Sequence, residues 1–193
     1  MKQILLITGF DPFGGGEVNP SWEAVRLLTE QVGKWKLCKL QIPTVFGLAA
    51  DTVLKKAEEI GAMAILCIGQ AGGRSAVTPE RIGINMRTAR IPDNLGNQPV
   101  EQPVVPGGPD GLFATVDVAA MAQGIQDAGL PGVVSNSAGT FVCNDVLYTL
   151  LHHYRGTDVK VGFIHVPYLP EQGEPSLPLS DTVKALSAAI LNI

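Results

Sequence analysis

The run Ile4-Leu5-Leu6-Ile7 and the stretch 62–68 carry apolar residues at consecutive positions, with no polar residue between them. A strand with one face in water alternates apolar and polar side chains. A strand that is apolar throughout has both faces covered, which is the habit of parallel sheets sandwiched between helices. Residues 46–60, just ahead of the second run, have amphipathic helical spacing and end at Gly61. These three segments predict a strand–helix–strand order, and the rest of the chain continues it. Asn19 caps a helix, Pro20 opens it and Gly33 closes it. Residues 35–41 and 80–90 alternate as strands. Residues 115–129 form a helix, 132–135 a short strand, 143 or 144 to 154 a helix, 159–164 a strand and 180–191 a last helix. The expected fold is α/β: one domain over 1–193, an open, twisted, mostly parallel sheet with helices on both faces.

At 193 residues, with 46% hydrophobic and 17% charged residues, the chain can bury a core without staples. The formal charge of −4 offers no basic field, so no nucleic-acid or anionic-membrane partner is expected. No stretch approaches the ~20 apolar residues of a membrane span. The first apolar run is too short for a signal-peptide core. Cys38, Cys67 and Cys143 are three scattered thiols, in neither a disulfide nor a zinc pattern. Together these features predict a cytoplasmic protein without metal or cofactor. Residues 91–111, rich in Pro, Gly and Asn, form a long loop of the kind that serves as lid or interface.

In parallel α/β sheets, ligands gather beyond the carboxyl ends of the strands. Four such ends stand out: residues 9–16, 69–73, 135–140 and His165-Val166-Pro167. Cys67 lies inside a strand and reads as inert core, and Cys38 as packed. Cys143 follows a Gly-Thr turn and opens a helix, where unpaired amides and the helix dipole lower a thiol pKa. A cysteine nucleophile works with a base, most often histidine. His152 and His153 sit ~13–15 Å further along the same helix axis, out of reach. His165 ends the next strand, at the edge where the Cys143 helix begins. Asp11, Glu80, Asp93 and Asp145 are all available to orient His165, and spacing does not choose among them. There is no P-loop lysine and no metal-ligand spacing.

Five segments in order then resemble one family, that of pyroglutamyl-peptidase I, also called pyrrolidone-carboxylate peptidase. They are Thr8-Gly9-Phe10-Asp11-Pro12-Phe13-Gly14-Gly15 with Asn19-Pro20; Gly69-Gln70-Ala71-Gly72-Gly73-Arg74; Pro79-Glu80-Arg81 with Ile84-Asn85 and residues 89–94; residues 137–144, which include Cys143; and residues 163–168, which include His165. The resemblance implies a thiol exopeptidase acting on N-terminally pyroglutamylated peptides, with a Cys143, His165 and Glu80 triad. It implies Phe13 and Phe141 around the substrate ring, with Phe10, Ile91 and Val142 completing the wall. Asn19 and the Gln70 backbone would read the lactam, Arg90 would assist, and the protein would be a homotetramer. The rival is a nucleoside-phosphorylase-like transferase, for which Arg74 and Arg81 are the available phosphate-binding cations.

Overall fold

The computed structural model describes residues 3–193. Strand β1 is Gln3–Phe10, followed by helix α1, Pro20–Leu27. The Asn19 side chain caps α1 by accepting from the Ser21 amide at 3.1 Å and the Ser21 hydroxyl at 2.8 Å. Pro20 occupies the first turn, where its missing N–H costs nothing. Gly33 does not end this helix as expected. The helix stops at Leu27, and Gly33 instead turns a small hairpin between β2, Gln31–Val32, and β3, Trp35–Ile42. Helix α2, Leu48–Ile60, ends on Gly61 at φ 61°, a left-handed conformation that glycine adopts without a Cβ penalty.

Strand β4, Ala64–Gln70, follows, with β5, Thr78–Pro79, β6, Ile82–Ile84, and β7, Gly111–Phe113. Helix α3 is Val118–Asp127, α4 Val142–His153, β8 Lys160–Val166 and α5 Leu179–Ile190. The main sheet runs in the order β2-β3-β1-β4-β8-β5. Its centre, β3-β1-β4-β8, is parallel, and β2 and β5 add antiparallel edges. Strands β6 and β7 form a separate antiparallel pair.

Helices cover both faces, as the unbroken apolar strands require. Leu5, Ile7, Leu66, Ile68, Ile164 and Val166 meet α1, α3 and α5 on one side. Leu6, Ile65, Cys67, Val161 and Phe163 meet α2 and α4 on the other. Successive strand side chains point to opposite faces. His165 therefore follows Phe163 onto the α4 face, and Gly69 follows Cys67 onto the same face. Registration of β4 with β8 pairs Gly69 with His165.

Two expected strands dissolve into shorter pieces. Residues 80–90 are not one strand: only Ile82–Ile84 pairs as a strand, with single bridges from Glu80 to Ser135 and from Arg87 to Gln102. Asn144, fully buried at the start of α4, explains this. Its side chain accepts from the Ile84 amide at 2.9 Å and donates to the Ile84 and Met86 carbonyls at 2.9 and 3.0 Å. These backbone groups are satisfied by a side chain rather than by a neighbouring strand. Residues 132–135 make only two isolated bridges, Val77 with Gly132 and Glu80 with Ser135. The 91–111 loop has no long regular element, yet it is firmly tied. Asp93, 5% exposed, accepts from the Phe46, Leu95 and Asn97 amides at 3.0, 2.9 and 2.8 Å. Among the described residues, no helix is long and apolar enough to cross a membrane.

Candidate active site

The carboxyl ends of β1, β4 and β8 open onto a cavity of about 1180 Å³. Its wall includes Phe13, Gln70, Arg90, Ile91, Phe141 and His165. Three of the expected ring-binding residues are not in that wall. Phe10 is 2% exposed and packs on Phe163 with ring centroids 6.3 Å apart. Val142 is fully buried in the α4 core. Asn19, also buried, caps α1 and donates to the Asp11 carbonyl at 2.9 Å. Val142 and Asn19 adjoin the wall residues Phe141 and Val18 in sequence. Phe13 and Phe141 do face each other, with centroids 6.0 Å apart and planes tilted by 37°. Phe46 packs edge-on against the other side of Phe141 at 5.3 Å.

His165, 4% exposed, reaches this cavity from the end of β8. Its Nδ1 lies 2.7 Å from Glu80 Oε1. An ionised carboxylate can only accept, so Nδ1 carries the proton and Nε2 is the nitrogen left for a reacting group. Of the four carboxylates the sequence left open, Glu80 alone meets this histidine. Asp11 accepts from the Thr44 amide at 2.7 Å and from Asn94 at 3.1 Å. Asp93 anchors its own loop. Asp145, fully buried, pairs with Arg87 and accepts from the Gly47 amide at 2.8 Å.

Cys143 is half-buried in the first turn of α4. Its sulfur rests over Gly69: a β-carbon built on that glycine would stand 2.9 Å from Sγ and 2.8 Å from the Phe163 ring. Because Gly69 is the register partner of His165, the thiol and the imidazole share one patch of sheet. No side chain caps α4, whose N-cap is Phe141. Its first-turn amides therefore remain available to an anionic oxygen.

Burial works against the thiolate that a helix start favours. Burial, then the negative charge of Glu80 and the proximity of Cys67, push the Cys143 thiol up to about 12, with Arg74 pulling the other way. Burial also pushes His165 down from its ordinary value, against the pull of Glu80. Burial opposes the Glu80 charge as well, but His165 first, then Ser135 and Arg74, hold its carboxyl below the usual range. Burial thus works against both the thiolate and the imidazolium, while the partners of Glu80 favour its carboxylate. Cys67, fully buried, is likewise pushed up to about 12 by burial, in keeping with inert core.

Arg74 is a member of the site that spacing did not single out. It donates from Nη1 to Glu80 Oε1 at 2.6 Å and to Thr78 Oγ1 at 2.6 Å, and from Nη2 to the Ser137 carbonyl at 3.0 Å. A cation engaged in this way is not a free phosphate ligand. Arg81 lies outside the cavity wall. The phosphorylase alternative thereby loses both of its cations. Gln172 was also unforeseen; it donates to the Gln70 side chain at 3.1 Å and holds the 69–73 turn to the segment after β8. Among the described residues, no cluster of His, Cys, Asp and Glu could hold a metal ion.

A thiol and a carboxylate-braced imidazole, gathered at the carboxyl edge of a parallel sheet beside uncapped helix amides, are the equipment of an acyl-transfer hydrolase. The comparisons agree with that class. A family model described as pyroglutamyl peptidase matches residues 2–193, and the chain belongs to this family. It is 51% identical to a pyrrolidone-carboxylate peptidase of Levilactobacillus brevis, over 96% of this chain and 95% of the relative. A Staphylococcus carnosus protein of the same description is 49% identical over 96% and 91%. Among solved structures, pyroglutamyl peptidase I of Bacillus amyloliquefaciens superposes with a TM-score of 0.96 at 43% identity, covering 100% of this chain and 95% of that one.

Proposed function

We propose that this chain, as one catalytic domain over residues 1–193, hydrolyses the bond after an N-terminal pyroglutamyl residue of peptides, with Cys143 as nucleophile, His165 as general base and Glu80 as its orienting carboxylate. The observation that carries the assignment is the 2.7 Å Glu80–His165 contact on the sheet patch where the Cys143 sulfur rests over Gly69.

Burial raises the thiol pKa and lowers that of the imidazole, so in this reading ionisation of the sulfur accompanies attack. His165 Nε2 takes the thiol proton as Sγ bonds to the pyroglutamyl carbonyl carbon. The carbonyl oxygen becomes an oxyanion, and the first-turn amides of α4 stabilise it. Glu80 balances the imidazolium through Nδ1. His165 then returns the proton to the leaving amine, the C–N bond breaks, and a thioester remains. Water, deprotonated by the same nitrogen, releases pyroglutamate and restores the thiol.

The lactam ring seats between Phe13 and Phe141. A ring inserted face to face needs about 7 Å between the flanking planes, since carbon contacts are optimal near 3.5 Å. The present 6.0 Å centroid distance must therefore open slightly. Phe13, half-buried, leads into the exposed 14–17 turn, which is the side that can yield; Phe141 is held by Phe46 and α4. Ile91 and Arg90 close the side of the slot. The Gln70 backbone presents a partner to the lactam, whose ring C=O proline lacks, so proline should be rejected; Asn19, buried outside the wall, holds the Asp11 carbonyl behind the slot. Phe10 and Val142 back the slot from the core. The rest of the cavity accommodates the peptide beyond the scissile bond.

The three free cysteines suit a reducing compartment, so the proposed location is the cytoplasm. The proposed assembly is a homotetramer. Exposed Leu95 and Val100 on the 91–111 loop supply apolar surface for it.

The test is hydrolysis of a fluorogenic pyroglutamyl amide under reducing conditions, by wild type and Cys143→Ser. Only wild type should turn over, and iodoacetamide should abolish the activity. Undiminished activity in Cys143→Ser would refute the mechanism.

A further inference from the structure

We propose that Arg74 is a positioning residue of the hydrolytic site: its guanidinium ties the Glu80 carboxylate both to the strand that carries His165 and to the loop that leads into Cys143. This inference rests on the function proposed above.

The geometry is that of a three-way clamp. One guanidinium nitrogen, Nη1, meets Glu80 Oε1 and Thr78 Oγ1, both at 2.6 Å. Thr78 pairs with His165 across β5 and β8, and its hydroxyl lies 3.4 Å from the His165 carbonyl. The other nitrogen, Nη2, holds the Ser137 carbonyl at 3.0 Å, in the turn that ends at Phe141 and α4. All three proposed catalytic groups are thus referenced to one planar fork.

The carboxylate itself shows why a clamp is needed. Glu80 Oε1 receives both Arg74 and His165, while Oε2 is buried without a well-formed hydrogen bond, Ser135 being the remaining polar side chain beside the carboxylate. A buried acceptor left unpaired is unfavourable, and rotation of the carboxyl group would relieve it. Rotation would also take Oε1 away from the imidazole. Arg74 binds the same oxygen that His165 uses and so fixes the orientation of the carboxyl group towards the ring. Lysine could supply the charge but not the fork that reaches Ser137 at the same time.

Arg74 also acts at a distance. The groups around His165 are Glu80 and Arg74 directly, Cys143 and Cys67 on the same sheet face, and Arg90, Tyr168, Glu17 and Glu171 along the cavity wall. Of these, the Arg74 charge opposes protonation of His165 and favours ionisation of Cys143. Neutralising it should move both titrations to higher pH. A brace that served only the fold would change stability and leave both titrations where they are.

The experiment compares wild type, Arg74→Gln and Arg74→Lys by pH profiles of kcat and KM on a fluorogenic pyroglutamyl amide. In parallel, alkylation of Cys143 by iodoacetamide is followed against pH by peptide mapping. Arg74→Gln should lower kcat about tenfold or more, with KM within about threefold, because the loss is one of alignment. Its acid limb and its alkylation midpoint should both rise by about half a pH unit. Arg74→Lys should keep both midpoints and recover only part of kcat. Wild-type kcat and midpoints in Arg74→Gln would overturn the proposal, and so would full recovery of kcat in Arg74→Lys. If Arg74→Gln fails to fold by circular dichroism, the kcat of Arg74→Lys decides. Activity surviving Cys143→Ser, or an inactive wild type, would refute the proposed function instead; the alkylation profile still reads Arg74 without turnover.

Discussion

The Cys143 sulfur occupies the space that a side chain on Gly69 would fill, 2.9 Å from the position of its missing β-carbon. Gly69 is paired with His165 across β4 and β8, so this vacancy lets a thiol from α4 descend onto the sheet at the register position of His165. Gly69→Ala should force the sulfur or the Phe163 ring to move. Overpacking a core typically costs about 1–3 kcal/mol. We expect a lower thermal midpoint and a kcat/KM reduced by about tenfold or more, measured on the pyroglutamyl amide. Wild-type kinetics in Gly69→Ala would show that the thiol needs no such gap.

Removing the base should separate chemistry from folding. His165→Ala is expected to lose about 10²–10⁴ in kcat, the range typical of general-base removal, with far-ultraviolet circular dichroism unchanged. Glu80→Gln keeps the shape of the side chain but removes the acceptor charge that fixes the Nδ1 proton. It should also lower kcat by at least about tenfold. Full activity in His165→Ala would return the base to open choice.

Asp93 joins the long loop to the loop before α2, and the loop in turn carries Ile91 and Arg90 to the cavity. Its carboxyl is held below the usual range: burial opposes the charge, but Asn97 and the surrounding amides outweigh it. Asp93→Ala should release this segment. Substrate binding should suffer more than chemistry, with KM rising several-fold and kcat changing less than about threefold, as steady-state kinetics would show. An unchanged KM would mean that the loop wall does not contact substrate.

Stability should fall on both sides of neutrality. Glu80 and Asp93 titrate lower in the folded chain than their ordinary values of 4.5 and 3.8. The unfolded chain therefore binds their protons first, and their contribution is lost as pH drops through that range. His165 is also lowered, from 6.5, so the unfolded chain gains a proton there first and stability begins to decline below that pH. Cys143 and Cys67 are raised from 9.0 to about 12. Their contribution is intact below 9.0 and is lost as pH rises towards 12. Thermal midpoints should accordingly form a plateau between about pH 6.5 and 9. Cys143→Ala should flatten the alkaline slope, and an identical slope would assign that loss to other groups.

The elements most legible in the sequence were those whose pattern was local and strong. The apolar runs gave β1 and β4, Asn19-Pro20 gave the start of α1, and Gly61 gave the end of α2. Less legible were 80–90 and 132–135, which alternate like strands but are claimed by Asn144 and by single bridges. Gly33 failed as a helix stop because glycine signals a turn without saying which one. At the site, the position of Cys143 at a helix start and of His165 at a strand end was readable from element order. The Arg74 clamp was not, since its three partners lie 4, 6 and 63 residues away in sequence.

By itself, then, the sequence determined a covered parallel sheet and the edge at which a thiol and an imidazole come together, because hydrophobic periodicity and strand alternation act over a few residues. The tertiary structure decided which of four carboxylates reaches the histidine, which aromatic rings face the cavity, and what surrounds the sulfur. Those outcomes depend on long-range contacts and on how completely water is excluded, and neither is a property of any single segment.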